Sequence, residues 1–382
     1  MDIKPIKIAM LLENILGVPR NILLYRMQIR AVLSFNVLVQ LSGIVWATTI
    51  EMLEANIVDF RIFYFLICFD SFIIIISSIY CIKEFKEVIN LCNLINSHFI
   101  DDTIYINDLA TLTKQVILLS LYSFGFRLVS YVIYVPSIEP LMKGGAFKMW
   151  MLYINDAIMS IRYTQEFVTV YCVLTVLYQQ LNAISRSMDT AISIQKETKR
   201  QVNTSLASMI GKWNEIFKII KDISYLINKI FRGQVGYILH YFLFFLLQHT
   251  ITIGHMLLLT NLLVLLLFVL ISLTYAGQKM KNSAAHVKQR LCRICTYCLH
   301  SKLIKLLTCR PNLRFVSIYF VFLHDSTDKT EYRAARDCLR QVTAGPELVL
   351  AAGPSLDMAL LPKCLFFVIY YIVVILQFNN FF

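Results

Sequence analysis

The sequence predicts an all-α membrane protein with seven transmembrane helices, and three observations carry that prediction. Only 16% of the 382 residues are charged while 58% are hydrophobic, whereas soluble domains carry roughly a quarter charged residues. The apolar residues gather into runs of about twenty, enough to cross the hydrocarbon core as helices, instead of the ten-residue alternating segments of a membrane β-barrel. Basic residues crowd into alternate segments between those runs, the pattern left when Lys and Arg are retained on the cytoplasmic side.

The spans follow in order. Ala31 to Ile50 is uncharged, Ile62 to Ile82 is interrupted only by Asp70, and Gln115 to Ile138 only by Arg127. Met149 to Leu181 carries just Asp156, Arg162 and Glu166. Gly233 to Gln278 has no formal charge at all. As one helix at about 1.5 Å per residue it would be roughly twice the core thickness, so it folds back. The polar patch Gln248, His249, Thr250, Thr252, Gly254 and His255 supplies the turn between spans five and six. Cys364 to Phe382 makes span seven. The chain therefore divides into a segment 1–30, spans one to four in 31–181, a polar segment 182–232, spans five and six in 233–278, a second polar segment 279–363, and span seven in 364–382.

Orientation comes from the loops. Residues 1–30, 83–114, 186–232 and 279–314 together hold 26 Lys and Arg, while on the opposite side residues 51–60, the loop between spans three and four, the turn between spans five and six and the tail after Gln377 hold only Lys143 and Lys148. The amino terminus is therefore expected in the cytoplasm and the carboxyl terminus outside, the reverse of a G-protein-coupled receptor. The formal net charge of +12 is explained by this topology, since the positive residues form no folded basic face of the kind nucleic acid requires. The basic start of the chain, Lys4 and Lys7, is followed by Glu13 and Pro19, which is unlike a cleavable signal.

Two polar segments carry apolar stripes. Leu206, Ile210, Trp213, Phe217, Ile220, Ile227 and Phe231 recur at three- and four-residue spacing, with Lys212, Lys218, Lys221 and Lys229 mostly on other faces; this predicts an amphipathic helix. Val287, Leu291, Ile294 and Cys298 continue span six in the same way. Such stripes suit a cytoplasmic helical bundle within or between subunits, or alternatively the lipid surface.

The last span holds the most specific pattern: Tyr370, Tyr371, five apolar residues, then Gln377 and Phe378. It resembles the carboxyl-terminal signature of insect gustatory receptors, usually Thr-Tyr, five hydrophobic residues and Gln-Phe, with Tyr370 in place of the Thr. Ala351 to Lys363 is similar to that family's approach to its last span. The resemblance implies a tastant-gated cation channel built as a tetramer, homomeric or mixed with other gustatory receptors. The last helix would line the pore, Gln377 and Phe378 would form its gate, and Tyr371 would pack behind them. A ring of aromatic side chains can close a pore by dewetting and amides can replace a cation's hydration shell; alternatively Gln377 bonds a neighbouring helix and Phe378 anchors at the interface. One stretch departs from the family. Residues at about 315–346, including VSIYFVFL, extend a normally short link. VSIYFVFL is too short to span and too apolar for water, which favours retained intron sequence over a lineage-specific loop.

Ionisable residues inside spans are costly and invite functional readings. Arg162 and Glu166, one turn apart, form an expected structural ion pair. Arg127 on span three and Asp156 on span four fall at similar depth, along with Tyr131, Tyr134, Tyr153, Asn155 and Ser160, and with Tyr64 and His249 from spans two and five. Together they make a wet, aromatic pocket for a small organic ligand; the alternative is an interfacial aromatic belt with polar residues holding helices together. Cys292, Cys295, Cys298 and His300 lack a second CxxC at finger spacing, so no metal is expected. The Asn203 sequon lies on the cytoplasmic side. No Walker loop, dinucleotide fingerprint, HExxH or nucleophile elbow occurs, so neither an enzyme nor a bound cofactor is expected. A transporter is disfavoured by the lack of internal repeats. Epitope tags at the two ends, probed in unpermeabilised cells, should stain only at the carboxyl terminus; an exposed amino-terminal tag overturns the topology.

Overall fold

The computed structural model describes residues 3–16, 27–54, 79–99, 102–138, 146–197, 209–230, 264, 267–268, 270–294, 333, 336–338, 340, 357–363, 365–366 and 370. Among the described residues there is no strand, and the elements are helices. We label them α1 (Lys4–Ile15), α2 (Met27–Glu54), α3 (Ile82–Asn96), α4 (Thr103–Ile138) and α5 (Ala146–Glu197), then α6 (209–230) and α7 (270–294).

Two of these helices are far longer than a bilayer crossing. At about 1.5 Å per residue, the 36 residues of α4 reach about 54 Å and the 52 residues of α5 about 78 Å. Their surplus builds a tight bundle. From Phe167 to Met188, α5 is buried on nearly every side, with Val168, Val170, Cys172, Val173, Leu174, Val176, Leu177, Leu181 and Ile184 all in the core. A helix apolar all round is one enclosed by others.

The enclosing helices each present one stripe. On α3, Phe85, Val88, Ile89, Cys92 and Ile95 recur at helical spacing and are buried. On α6, Ile210, Trp213, Phe217, Ile220 and Ile227 are buried while Lys212, Lys218 and Lys221 are exposed. On α7, Val287, Leu291 and Ile294 are buried. All belong to a single hydrophobic cluster, so these stripes are covered by this chain's own helices. Leu206, Phe231 and Cys298 lie outside the described residues. Within the anomalous stretch near 315–346, Cys338 is fully buried in the same cluster.

Two helices come as additions to the sequence expectation. The 83–114 link between spans two and three holds α3, a 3-10 turn at Ser97–Phe99 and the first turns of α4. The amino-terminal segment holds α1, which starts with Pro5 in its first turn, where a missing N–H costs nothing. It buries Ile6, Ala9, Met10 and Glu13 against α4 and α5. The backbone N–H of Ile3 donates to Asn93 Oδ1 at 3.2 Å, tying α1 to α3.

At the other end of α1 sits Arg162. Its guanidinium is fully buried and donates from Nε and Nη2 to the carbonyl oxygen of Leu16, at 3.0 and 2.8 Å. Leu16 is the C-cap of α1, and a cation there meets the unsatisfied carbonyls and negative dipole end of the helix. Glu166, one turn along and equally buried, attracts it electrostatically. Arg162 therefore caps a neighbouring helix in addition to facing Glu166, because a guanidinium has more donors than one carboxylate can take up.

The outer surfaces differ from the bundle. On α2, Val32, Phe35, Leu38, Val39, Val45 and Trp46 are about half or more exposed, as are Leu118, Leu121, Leu128, Val129 and Val132 on α4. Contiguous apolar surface of this extent suits lipid or a partner subunit and not water. The described stretches Thr103–Phe126 and Thr164–Thr190 are long and apolar enough to cross a membrane.

Replacing Arg162 with Met should lower the unfolding free energy in detergent by about 3 kcal/mol or more, because it leaves buried carboxylates and a helix end uncompensated. Thermal melting of the purified variant checks this, and an unchanged melting temperature overturns the capping role.

Candidate functional site

The sequence-predicted gate residues Tyr371, Gln377 and Phe378, and pocket residues Tyr64 and His249, lie outside the described residues. Arg127, Tyr131 and Tyr134 are on α4, and Tyr153, Asn155, Asp156 and Ser160 on α5; for these the backbone is described. At 3.6 residues per turn, Arg127, Tyr131 and Tyr134 share one face of α4, and Tyr153, Asp156 and Ser160 share one face of α5. Asn155 falls next to that stripe.

How the two faces sit in height follows from the polar contacts deeper in the bundle. Arg186 Nη2 meets Asp102 Oδ2 at 2.9 Å. Gln180 Nε2 donates to the Tyr105 hydroxyl at 3.3 Å, and Gln179 Nε2 to the Asp108 carbonyl at 3.0 Å. As the number rises on α4 it falls on α5, so the helices are antiparallel. Carried along both helices at equal rise, that register sets the backbone of Arg127 level with Ser160, Tyr131 with Asp156 and Tyr134 with Tyr153. The two faces are thus matched in height on adjacent helices.

The register itself is held by buried polar groups. Asp102 Oδ1 accepts the backbone N–H of Tyr105 at 2.9 Å, which makes Asp102 the N-cap of α4. The Tyr105 hydroxyl donates to Asn96 Oδ1 at 3.0 Å while accepting from Gln180, and Gln180 also reaches the Cys92 carbonyl at 3.5 Å. One glutamine of α5 thereby holds both α3 and α4. Glu84 of α3 pairs with Lys229 of α6, and that ammonium holds the Glu84 carboxyl below its ordinary range. On the far side of α5, Asn182 Oδ1 accepts from Ser283 Oγ at 2.9 Å and Asp189 meets Arg290 at 2.7 Å, both from α7.

A second joint lies at the approach to the last span. Asp357, almost fully buried, receives Lys281 Nζ at 2.8 Å on Oδ2 and the backbone N–H of Ala359 at 3.1 Å on Oδ1. The backbone N–H of Met358 donates to Gln278 Oε1 at 3.4 Å, and Thr274 Oγ1 contacts Met358 Sδ at 3.8 Å. None of these partners was apparent from span-by-span reading. The available signal was the helix-start pattern Asp102-Thr103; a partner that is a backbone carbonyl or a distant turn leaves no such mark.

No known family profile matches the sequence, and no curated protein matches it. Among solved structures, the chain is similar to the insect olfactory receptor OR5 from Machilis hrabei, at 8% identity and a TM-score of 0.61 over 93% of this chain and 91% of that one. It is also similar to the same receptor in complex with eugenol, at 10% identity and a TM-score of 0.64 over 98% of each chain. The protein therefore shares the fold of that olfactory receptor over nearly its whole length, and its described residues are helical.

Asp102 sets a pH prediction. Burial raises its pKa, but the Tyr105 N–H and the Arg186 guanidinium outweigh that and hold it below its ordinary value. A carboxyl whose folded pKa is depressed stabilises the fold above its unfolded pKa of about 3.9 and loses that contribution as pH falls through the folded value. Asp102→Asn keeps a good N-cap, so it should cost about 1 kcal/mol near neutrality and flatten the acid limb of the melting profile. Melting temperatures of both proteins across that range test it; parallel acid limbs overturn it.

Proposed function

We propose that this chain is a gustatory receptor: a tastant-gated, non-selective cation channel in the plasma membrane of sensory neurons. The observation that carries the reading is the coincidence of two independent ones. The fold is that of an insect olfactory receptor over nearly the whole length of both chains, and the last span carries Tyr371, five apolar residues and Gln377-Phe378, which favours the gustatory over the olfactory branch. The apolar outward faces of α2 and α4 support placement in a bilayer. The loop charges orient it with the amino terminus in the cytoplasm and the carboxyl terminus outside.

In this reading four subunits, identical or mixed with other gustatory receptors, surround a pore lined by the last span. A small organic tastant, of the bitter or plant-derived kind, enters the outer cavity. The fold neighbour is solved with eugenol, a small organic molecule, and the matched rows of Arg127, Tyr131 and Tyr134 with Tyr153, Asp156 and Ser160 suit a ligand of that size. Aromatic walls supply area and the few polar groups supply orientation. The ligand favours the open state by binding it more tightly. The ring of Phe378 then withdraws, Gln377 amides face the permeating ions, and cations enter.

The alternative, a seven-span receptor or transporter working through partner proteins, makes a different prediction. Expressed alone, the chain should give ligand-evoked cation current without added G protein. Gln377→Ala should change ion selectivity or abolish current at normal surface level, and Asp156→Asn should shift the half-maximal ligand concentration by about tenfold. Silence of the wild type against a broad panel of plant compounds, with surface expression verified, overturns the channel reading.

A further inference from the structure

Resting on that channel reading, we propose that Lys281, Gln278 and Thr274 of α7 form a clasp on the turn at 357–360 that couples α7 to the last span. The three residues recur at spacings of four and three, so they lie along one face of α7. Each touches one of two adjacent residues of the turn, Asp357 or Met358. Lys281 holds the Asp357 carboxylate at 2.8 Å, Gln278 accepts the Met358 N–H at 3.4 Å, and Thr274 contacts the Met358 sulfur at 3.8 Å.

The turn is rigid in its own right. Asp357 accepts the Ala359 N–H on its side chain and the Leu360 N–H on its backbone oxygen, at 3.1 and 3.0 Å. It thus caps the helical residues 360–363 that follow. Leu360 is buried in the hydrophobic cluster together with Leu273 and Ala276 of α7. A single carboxylate therefore starts the last helix and binds it to its neighbour. Movement of α7 along its axis carries the turn with it, because three side chains spread over two helical turns resist sliding as well as separation.

This gives the ligand a route to the pore. Continuing α7 towards its amino end reaches span six, which borders the outer cavity, and continuing from the turn reaches the pore-lining residues. A shift of span six on ligand binding is handed to the last span at its inner end through Asp357. Lys281 and Asp357 are positioning residues: they touch neither ligand nor ion.

The test compares Lys281→Glu, which repels Asp357, with Lys281→Arg, which preserves the pair, in cells where surface protein is quantified. Lys281→Glu should lower the maximal ligand-evoked current per surface receptor by about fivefold, the low end of a typical coupling effect because Lys281 is half exposed. Lys281→Arg should restore it. A merely structural role would change surface level and leave the current per receptor alone. Equal currents per receptor in wild type and Lys281→Glu overturn the clasp, whereas a silent wild type counts against the channel reading itself. The geometry has its own readout. With a protease site placed between residues 315 and 332, Gln278→Cys combined with Met358→Cys should link the two fragments by a disulfide, and adding Lys281→Glu should reduce the linked fraction. Fragments that never link overturn the clasp whether or not current flows.

Discussion

The polar side chains of α5 govern the rest of the structure. A helix buried on nearly all sides cannot leave amides, guanidinium groups or carboxylates facing hydrocarbon, since each unsatisfied one costs several kcal/mol. The amide, guanidinium and carboxylate groups of α5 that pair with a neighbour therefore fix where that neighbour sits. Arg162 and Gln165 fix α1 through the carbonyls of Leu16 and Ala9. Gln179 and Arg186 fix α4, and Gln180 fixes both α3 and α4. Asn182 and Asp189 fix α7. Hydrophobic burial supplies the compaction, but apolar contacts alone tolerate sliding. The hydrogen bonds choose one register out of several that would pack.

That division explains what could be read from the chain in advance. Periodicity is a local property, so the stripe of Ile210, Trp213, Phe217, Ile220 and Ile227 and its counterpart at Val287, Leu291 and Ile294 could be seen directly. So could the apolar runs within α2, α4 and α5, because length and the absence of charge are enough to mark them. The short helices α1 and α3 could not be recognised in the same way. Each mixes Lys and Glu with its apolar stripe, and in a chain scanned for twenty-residue runs such segments look like loops. Arg162 shows the same limit at a single residue. Spacing offers Glu166 as its neighbour, and only the fold brings in Leu16. For the site, residue spacing placed Arg127, Tyr131 and Tyr134 on one helix face and Tyr153, Asp156 and Ser160 on another. Their matching heights required the antiparallel register, which contacts between residues more than 70 apart supply.

The two halves of α5 are made for different tasks. The half from Ile161 to Met188 is committed to the bundle, and there is little freedom left in side chains that are both packed and hydrogen-bonded. The preceding turns, with Tyr153, Asp156 and Ser160, belong to the region proposed to meet a ligand. One continuous helix joins them, so the rows proposed to meet a ligand inherit their height from contacts made far below. A fold can vary such rows freely and keep its architecture, because what aligns them lies elsewhere. Identity near a tenth with the fold shared across 98% of each chain is the outcome such an arrangement permits.

The cap that Arg162 places on Leu16 also constrains how the protein is made. The two residues are 146 positions apart, and the chain leaves the ribosome amino terminus first. α1 is therefore complete long before its partner exists. During that interval its buried face, Ile6, Ala9, Met10 and Glu13, has none of the α5 residues that later cover it. The helix becomes seated only after the intervening chain has been synthesised and α5 has arrived. Assembly thus leaves α1 unseated until α5 arrives, and a chain that stalled before that point would still carry that face uncovered, a surface by which unfinished copies can be told from finished ones.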